Sequence, residues 1–503
     1  MACRPLWHRA APLLLLLLAT LAAGPSSQAA EPTPAAEEPP ASPLLLGRED
    51  ALRLGLRRSL GLRGSALTVG ENRSLLELSR TRFRPTVDLV AFSSFAQVGT
   101  DIGFISNLPT IGDLSFDLRG KSSAVINNAF INAGVVLNFP LLDFKRKPLR
   151  RAAEAGLEAA MANEQEELRR VRFEVLSSYL TAQWTAALIP AWELALTASR
   201  RLESDANALR REGLAARIDT LQALALVQAD LQGLAEAQAQ HRIALSALAR
   251  GLNLPAAITI TLRDPLVPEL SWEVSLPESI RLALDQRPAL ESLQQQRQAQ
   301  LARLDLARTG RLPSLGLLVG AGISGDWLNV QGLKTSGRLD GGEGSGLPLP
   351  TLNNDGSASG GFYDWGAALT LRQPLYDGGQ TRHAIALAQQ QAEWADLAIA
   401  QAEQLIIQSV ETWYYTHQAA GPQASAARAA VAAGEASVRD AEIRYRAGLA
   451  PITEMLVAQR NLQVARSAEA TAIYRWNLSR TGLERETGLG ALVPSTAAET
   501  GQP

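Results

Sequence analysis

Two helical runs set the scale of this protein. From Pro148 to about Arg211, and again from Thr381 to about Arg446, the chain is dense in Ala, Leu, Gln, Glu and Arg, the better helix formers. At about 1.5 Å per residue, ~65 residues extend roughly 100 Å, well beyond the core of any compact domain. Each run ends at a sharp break. Arg444-Tyr445-Arg446-Ala447-Gly448-Leu449-Ala450-Pro451-Ile452-Thr453-Glu454 places Gly to end one helix and Pro to start the next. The earlier stretch Arg210-Arg211-Glu212-Gly213-Leu214-Ala215-Ala216-Arg217-Ile218-Asp219 has the same Gly-Leu-Ala core and, like Glu454, an acid six residues after its Gly. The chain is therefore expected to make a helical hairpin tip twice. In the first returning run, Leu221, Leu224, Val227, Leu231 and Leu234 recur at spacings of three and four, as on one packed seam. Pro190 and Pro422, at similar depths in the outgoing runs, predict kinks or interruptions.

The tips belong to a longer internal repeat. Leu78-Ser79-Arg80-Thr81-Arg82-Phe83-Arg84-Pro85 matches Leu306-Ala307-Arg308-Thr309-Gly310-Arg311-Leu312-Pro313, a shift of 228 residues. Pro140-Leu141-Leu142-Asp143 matches Pro374-Leu375-Tyr376-Asp377 at a shift of 234. Val175, Tyr179, Thr181 and Gln183 match Val410, Tyr414, Thr416 and Gln418 at 235, and Gly213 and Gly448 keep that shift. So small a drift points to a duplication, with a first repeat over 48–262 and a second over 263–489.

Each repeat holds two extended segments before its long helix, within about 85–139 and 313–373. In Leu369-Thr370-Leu371-Arg372 apolar and polar residues alternate, as when one face meets lipid and the other water. The same alternation also fits an ordinary soluble hairpin. Asp326 to Gly361, packed with Gly, Ser, Asn and Asp, reads as a long exposed connection. Phe92, Phe95, Phe104, Trp327, Phe362, Tyr363 and Trp365 are placed near strand ends, as an interfacial girdle or as isolated surface aromatics.

Lys plus Arg is 48 against 50 for Asp plus Glu, so no basic balance points to nucleic acid. Residues 1–29 read as a secretory signal peptide: Arg4 and Arg9, an apolar centre over Leu13–Leu18 too short to span a bilayer, and small residues down to Ala29. The single Cys, Cys3, falls inside it, leaving the mature chain without a disulfide or a lipidated N-terminal Cys. Residues 30–47, Pro/Ala/Glu-rich at first, are expected to be a disordered linker, and 490–503 a disordered tail. No later run of about 18 apolar residues occurs, so any membrane segment must be made of strands. Four strands in lipid leave two open edges and cannot close a barrel, which requires an oligomer.

No nucleophile and base pair, phosphate loop or metal cluster is evident, so neither catalytic nor metal residues nor a cofactor are assigned. His241, His383 and His417 lack ligand spacing, and Asp143 and Asp377 fit turn or helix-cap roles. Glu454 and Asp219 fit helix-start acids as well as pore-facing ones.

Taken together, 48–489 resembles the TolC-like outer-membrane efflux family. Gln373-Pro374-Leu375-Tyr376-Asp377-Gly378-Gly379 carries the resemblance, with Tyr445-x-x-Gly448 followed by Glu454-x-Leu456-x-Ala458-Gln459. The resemblance implies a mixed α+β membrane protein with four transmembrane strands per chain. Three chains would share a twelve-stranded barrel, continued by a periplasmic α-helical barrel with an equatorial belt. It further implies an exit duct of a tripartite efflux or type I secretion system in the outer membrane. The partners would be two further copies, a periplasmic adaptor, an inner-membrane pump and outer-membrane lipid. Gly213, Leu214, Gly448 and Leu449 map onto the adaptor-contact motif, and Asp219, Tyr445 and Glu454 onto the pore gate, with Tyr445 bonded to Asp219. Ala450 and Val457 stand where the family carries a base and a second acid, and Arg446, Arg211 and Arg217 are the candidates to replace that base. A periplasmic or surface coiled-coil structural protein is the alternative, and the cargo stays open among drugs, metal ions and proteins.

Overall fold

The computed structural model describes residues 44–111, 114–255, 258–341 and 347–489. The expected signal peptide and C-terminal tail lie outside these residues. The first half runs β1 (Leu44–Leu46), α1 (Arg48–Arg58), α2 (Leu60–Thr81), β2 (Thr86–Ile111), β3 (Leu114–Asp143), α3 (Arg146–Arg211) and α4 (Arg217–Gly251). The second half runs β4 (Ile260–Leu262), α5 (Leu276–Gln286), α6 (Pro288–Arg308), β5 (Ser314–Gly341), β6 (Leu347–Pro348), β7 (Leu352–Arg372), α7 (Gln380–Arg446) and α8 (Ile452–Thr487). Both halves thus follow the same order, from a helix through a strand hairpin to a long helical hairpin.

The four long strands form one antiparallel sheet in the order β2-β3-β5-β7, with the short β6 against the far end of β5. β2 and β7 are its edges. The second strand hairpin is longer than its composition implies. Asp326–Gly341 and Leu352–Gly361 are strand, paired from Asp326↔Gly360 to Thr335↔Leu352, not open connection. Gly, Ser and Asn weaken intrinsic strand preference, but a ladder begun at Ser314↔Arg372 continues wherever backbone groups can pair.

α3 and α7 are single helices of 66 and 67 residues that run through Pro190 and Pro422, so neither proline interrupts its helix. A proline inside a helix costs about 3 kcal/mol. A close contact between helices lies beside each proline. The Trp192 ring lies where a Cβ on Gly233 would meet it at 2.4 Å, and the Trp476 ring approaches Gly421 equally closely. The seam of α4 also differs from the Leu pattern. Its buried positions are Thr220, Ala223, Val227, Asp230, Ala237, Ala244 and Leu248, while Leu221, Leu224 and Leu231 stay exposed. Small residues let the helices of one chain approach closely and turn the leucines away.

Where the long helices pass their midpoints, each repeat has its own cluster of buried side chains. One gathers Leu46, Ala51, Val175, Tyr179, Leu248 and Ile260, and the other Ala283, Leu290, Ile406, Val410 and Leu483. Val175 and Val410, matched in the repeat, serve one cluster each. Of the linker expected over 30–47, residues 30–43 lie outside the described residues, and Leu44–Leu46 is strand instead. Leu44–Leu46 pairs in parallel with Ile260–Leu262, and burial of Leu46 supplies the apolar area that orders it. Tyr179 donates its hydroxyl toward Asp264 Oδ2 (3.0 Å) and Leu46 O (3.2 Å), while the Arg48 N–H donates to the same carboxylate at 2.8 Å. Burial and Asp264 push the Tyr179 phenol well above its ordinary range, and the Arg48 N–H is first among the groups holding Asp264 low.

At the junction of α5 and α6, the Arg287 guanidinium bridges Glu486 and Glu166 (3.0 Å to the latter), with Glu486 only 2% exposed. Arg287→Ala leaves that carboxylate buried without its partner and is expected to destabilise the protein by about 3–5 kcal/mol. Arg287→Met with Glu486→Gln is expected to recover much of the loss. Urea unfolding midpoints of the two variants check this.

Candidate functional site

Cross-strand partners share a face of a sheet, so the ladder reads directly as rows. Leu89, Val135, Ala321 and Trp365 form one row, Ala91, Ala133, Ile323 and Tyr363 the next but one, and Phe95, Ala129, Trp327 and Ser359 another on the same face. Leu317 and Leu369 extend that face toward the helices. It turns polar one row beyond Trp327, at Gln97, Asn127, Asn329 and Ser357. The opposite face carries Asp88, Asn132, Ser324 and Asp364 among its residues. From Leu315 to Trp327 the apolar face covers ~40 Å of strand at about 3.3 Å per residue, or roughly 30 Å of height at the ~40° tilt of barrel strands. That matches the hydrocarbon thickness of a bilayer. Large apolar side chains on this face stand open to solvent in the single chain, Leu89 at 79%, Tyr363 at 92% and Trp365 at 82%. The aromatics lie within the strands, and Phe95 and Trp327 mark the upper limit of the apolar band. No described helix is long and apolar enough to cross a membrane.

At the far end of the helices the two tips have the same backbone. Gly213 (φ 77°) and Gly448 (φ 73°) adopt the left-handed conformation that glycine tolerates best. In each tip the next N–H reaches back five residues, Leu214 to Leu209 O (2.8 Å) and Leu449 to Arg444 O (2.9 Å). This helix-ending pattern leaves Leu214 and Leu449 about three-quarters exposed. The acids beyond the glycines behave differently. Asp219 accepts the Ala216 N–H at 3.0 Å and caps its own helix, whereas Glu454 is ion-paired with Arg444 at 3.3 Å.

Tyr445 lies in the seam between the two hairpins, 7% exposed, among Leu202, Ala206, Ala223, Ile452 and Met455. The hydrogen bond expected from Tyr445 to Asp219 is not made within the chain, and the hydroxyl has no partner. The Asp219 carboxylate is engaged by its own helix start, and side-chain packing fixes the ring instead. Burial first, then the charges of Asp219 and Asp205, raise the Tyr445 phenol above its ordinary value.

The ionic link between the hairpins comes from a residue pair not singled out above. Arg446 reaches Asp205 at 2.9 Å and Glu442 at 3.0 Å, and Arg201 meets Glu442 at 3.4 Å. Of the three candidate bases, Arg446 bridges the hairpins, while Arg211 and Arg217 form no ion pair among the described residues. The repeat held a signal for this. At a shift of 235, Asp205 and Arg211 align with Asp440 and Arg446, so an acid and a base recur at matching depths in adjacent helices. His417 is structural. Its Nε2 accepts the Trp272 N–H at 3.0 Å, and its Nδ1 lies 3.1 Å from Ser479 Oγ.

Residues 279–489 match the family described as outer membrane efflux protein. Over 459 residues the chain is 26% identical to Protein CyaE of Bordetella pertussis, covering 89% of this chain and 84% of that protein. Its fold is similar to that of the outer-membrane channel OprN (TM-score 0.68, 18% identity, 88% of this chain and 89% of that one). The Campylobacter jejuni CmeC outer membrane channel is similarly close, with a TM-score of 0.67 at 17% identity, over 88% of this chain and 86% of that one.

The unpartnered Tyr445 hydroxyl yields a test. Tyr445→Phe removes a buried group whose desolvation is uncompensated, so stability at pH 8 is expected to hold or rise by up to about 1 kcal/mol. Because the folded phenol titrates above its unfolded value, the seam's contribution is fully present below pH ~10 and fades as pH rises through the raised value. Tyr445→Phe should lose that alkaline component. Unfolding midpoints of both proteins at pH 8 and pH 11 measure the difference.

Proposed function

We infer that this chain is a TolC-like outer membrane efflux protein, and that three copies build a continuous exit duct from the periplasm through the outer membrane. The observation that carries this is the four-stranded wall, apolar on one face over the thickness of a bilayer, with two edges that the chain itself leaves unpaired. Unpaired edge groups in lipid cost several kcal/mol each, so neighbouring chains must supply the missing partners. Two chains would give eight strands, whose interior side chains fill the space. Three give twelve and leave a lumen that can continue into a tunnel of helices.

Exposed apolar stripes support lateral assembly of those helices. Leu387, Trp394, Leu397 and Leu405 on α7, like Leu221, Leu224 and Leu231 on α4, face outward from the single chain. In the duct they pack against neighbouring copies. The two halves are copies of one ancestral unit, and residues 1–29 direct the chain across the inner membrane.

At the periplasmic mouth, Asp219 and Glu454 line the closing aperture, Tyr445 fills the seam, and the Arg446–Asp205 pair holds adjacent hairpins together. Gly213-Leu214 and Gly448-Leu449 present exposed leucines on rigid turns to a periplasmic adaptor, which couples the duct to an inner-membrane pump. The pump and adaptor select the cargo, and the duct conducts it without chemical change. In a coiled-coil structural protein, the apolar strand wall would have no task.

Purified protein is expected to run as a trimer and to conduct ions in planar bilayers, with a preference for cations. A soluble monomer would refute the duct. Glu454→Ala combined with Asp219→Ala should lower the cation preference, read as the reversal potential in a salt gradient. Unchanged selectivity would leave both acids as helix-start groups alone. For adaptor contact, Leu449→Cys is the suitable probe, since a side chain at Gly448 is strained by its positive φ. A cysteine cross-linker there is expected to capture a periplasmic adaptor in whole cells, and capture from a buried control such as Ala223→Cys should be absent.

A further inference from the structure

Charge is distributed very unevenly along this chain. Overall it carries a net −2, yet the four short segments joining strands to helices, 80–85, 143–151, 308–313 and 372–382, hold twelve Lys and Arg against two acids. The ladder gathers these segments at the helix-side end of the sheet, because Asp143 pairs with Ser314 and Ser314 with Arg372, while Thr86, just after the first segment, pairs with Asn138 five residues before Asp143. All twelve cationic side chains are exposed.

Neighbouring acids satisfy only a minority of them. Arg80 and Arg150 meet Glu77 and Glu154, and Arg308 and Arg311 meet Asp305 and Asp377. Lys145, Arg146, Lys147 and Arg151 make no ion pair among the described residues, nor do Arg82, Arg84, Arg372 and Arg382. A stability role would favour pairing, whereas this collar points its charge outward.

Apolar side chains are interleaved with the cations. Leu141, Leu142 and Phe144 are exposed beside Lys145, and Leu375 and Tyr376, each 87% exposed, precede Arg382. Mixed cationic and apolar residues at one level are the composition of a segment seated at a lipid headgroup boundary. That level begins where the apolar face of the sheet ends, at Leu315 and Leu371.

We propose that this collar binds the headgroups of anionic phospholipids in the periplasmic leaflet of the outer membrane. The proposal rests on the duct reading above, which puts the helix-side end of the sheet at that leaflet. Guanidinium and ammonium groups would hold headgroup phosphates while Leu375, Tyr376 and Phe144 enter the acyl boundary. A ring of such contacts fixes the height of the duct in the bilayer.

The test uses the full protein in bilayers of dioleoylphosphatidylcholine mixed with dibrominated phosphatidylglycerol or dibrominated phosphatidylcholine. Quenching of Trp365, in a Trp327→Phe background because Trp327 lies at the far edge of the apolar band, gives the relative association constant of the two lipids. Wild-type protein is expected to favour phosphatidylglycerol by about threefold or more at low salt, and to lose that preference near 1 M salt, where screening is short-ranged. Replacing Lys145, Arg146, Lys147 and Arg151 together by Ser should bring the ratio to about one. Lys145→Arg with Lys147→Arg should keep it. A wild-type ratio near one, or one unchanged by salt and by the fourfold variant, overturns the proposal. Collar-dependent sedimentation with peptidoglycan sacculi without a lipid preference also overturns it, assigning the cations to the cell-wall polymer. Conductance of the same preparations separates the two ideas: conduction without lipid preference removes the collar's role alone, and failure to insert removes the duct reading as well.

Discussion

A backbone amide that meets lipid without a partner is the constraint on which this architecture depends. The sheet of one chain satisfies its interior ladders but leaves both β2 and β7 with a free side along strands of 26 and 21 residues. No side-chain substitution repairs that deficit, because the groups concerned belong to the main chain. In the duct proposed above, the repair comes from another strand edge of the same length and height, which an identical chain would provide. The proposed assembly thus follows from main-chain pairing before any interface residue is considered.

The helices answer the same demand at a different scale. A wall about one bilayer thick needs no helices of 66 residues, so α3 and α7 are long for a reason outside the membrane. Their packing is divided by side-chain size. Alanines such as Ala155, Ala159, Ala162 and Ala206 are buried within the chain, while Leu387, Leu397 and Leu405 stay outside. Close packing inside one chain thus leaves the larger apolar side chains available for contact between chains. The buried polar groups around Asp264 and Arg287 prevent the two halves from sliding along one another, since each requires a particular register to be satisfied.

Much of this was legible in the sequence because local rules and the repeat agreed. Gly448 and Gly213 end helices where glycine should, and the prolines at 85 and 313 precede strands. The departures have physical causes. The Gly- and Ser-rich strands Asp326–Gly341 and Leu352–Gly361 look like connection in the sequence because composition reports intrinsic preference and not the ladder already begun below it. Pro190 and Pro422 predict kinks or interruptions from sequence because the contacts beside them, Trp192 on Gly233 and Trp476 on Gly421, join positions remote in sequence. Leu44–Leu46 resembled the end of a linker until Ile260–Leu262, more than 200 residues away, was brought beside it. The Arg446–Asp205 pair is equally remote, and its one trace in the sequence is the acid and base that recur at matching depths in the repeat.

The two tips of one chain show what a shared backbone does not determine. Their turns agree in φ and in hydrogen bonding, yet Asp219 is bound to its own helix start and Glu454 to Arg444 of the outgoing helix. The acid of the first tip is held by main-chain groups that no salt screens away, while the acid of the second is held by one exposed side chain. An exposed pair of this kind contributes little to stability, so neither acid holds the hairpins together. That task falls to the buried seam around Tyr445 and Met455, aided by Arg446 reaching Asp205. Because the seam is apolar and non-directional, it holds the hairpins together without fixing their register, and the ion pairs beside it, Arg446 with Asp205 and Arg201 with Glu442, set where they rest.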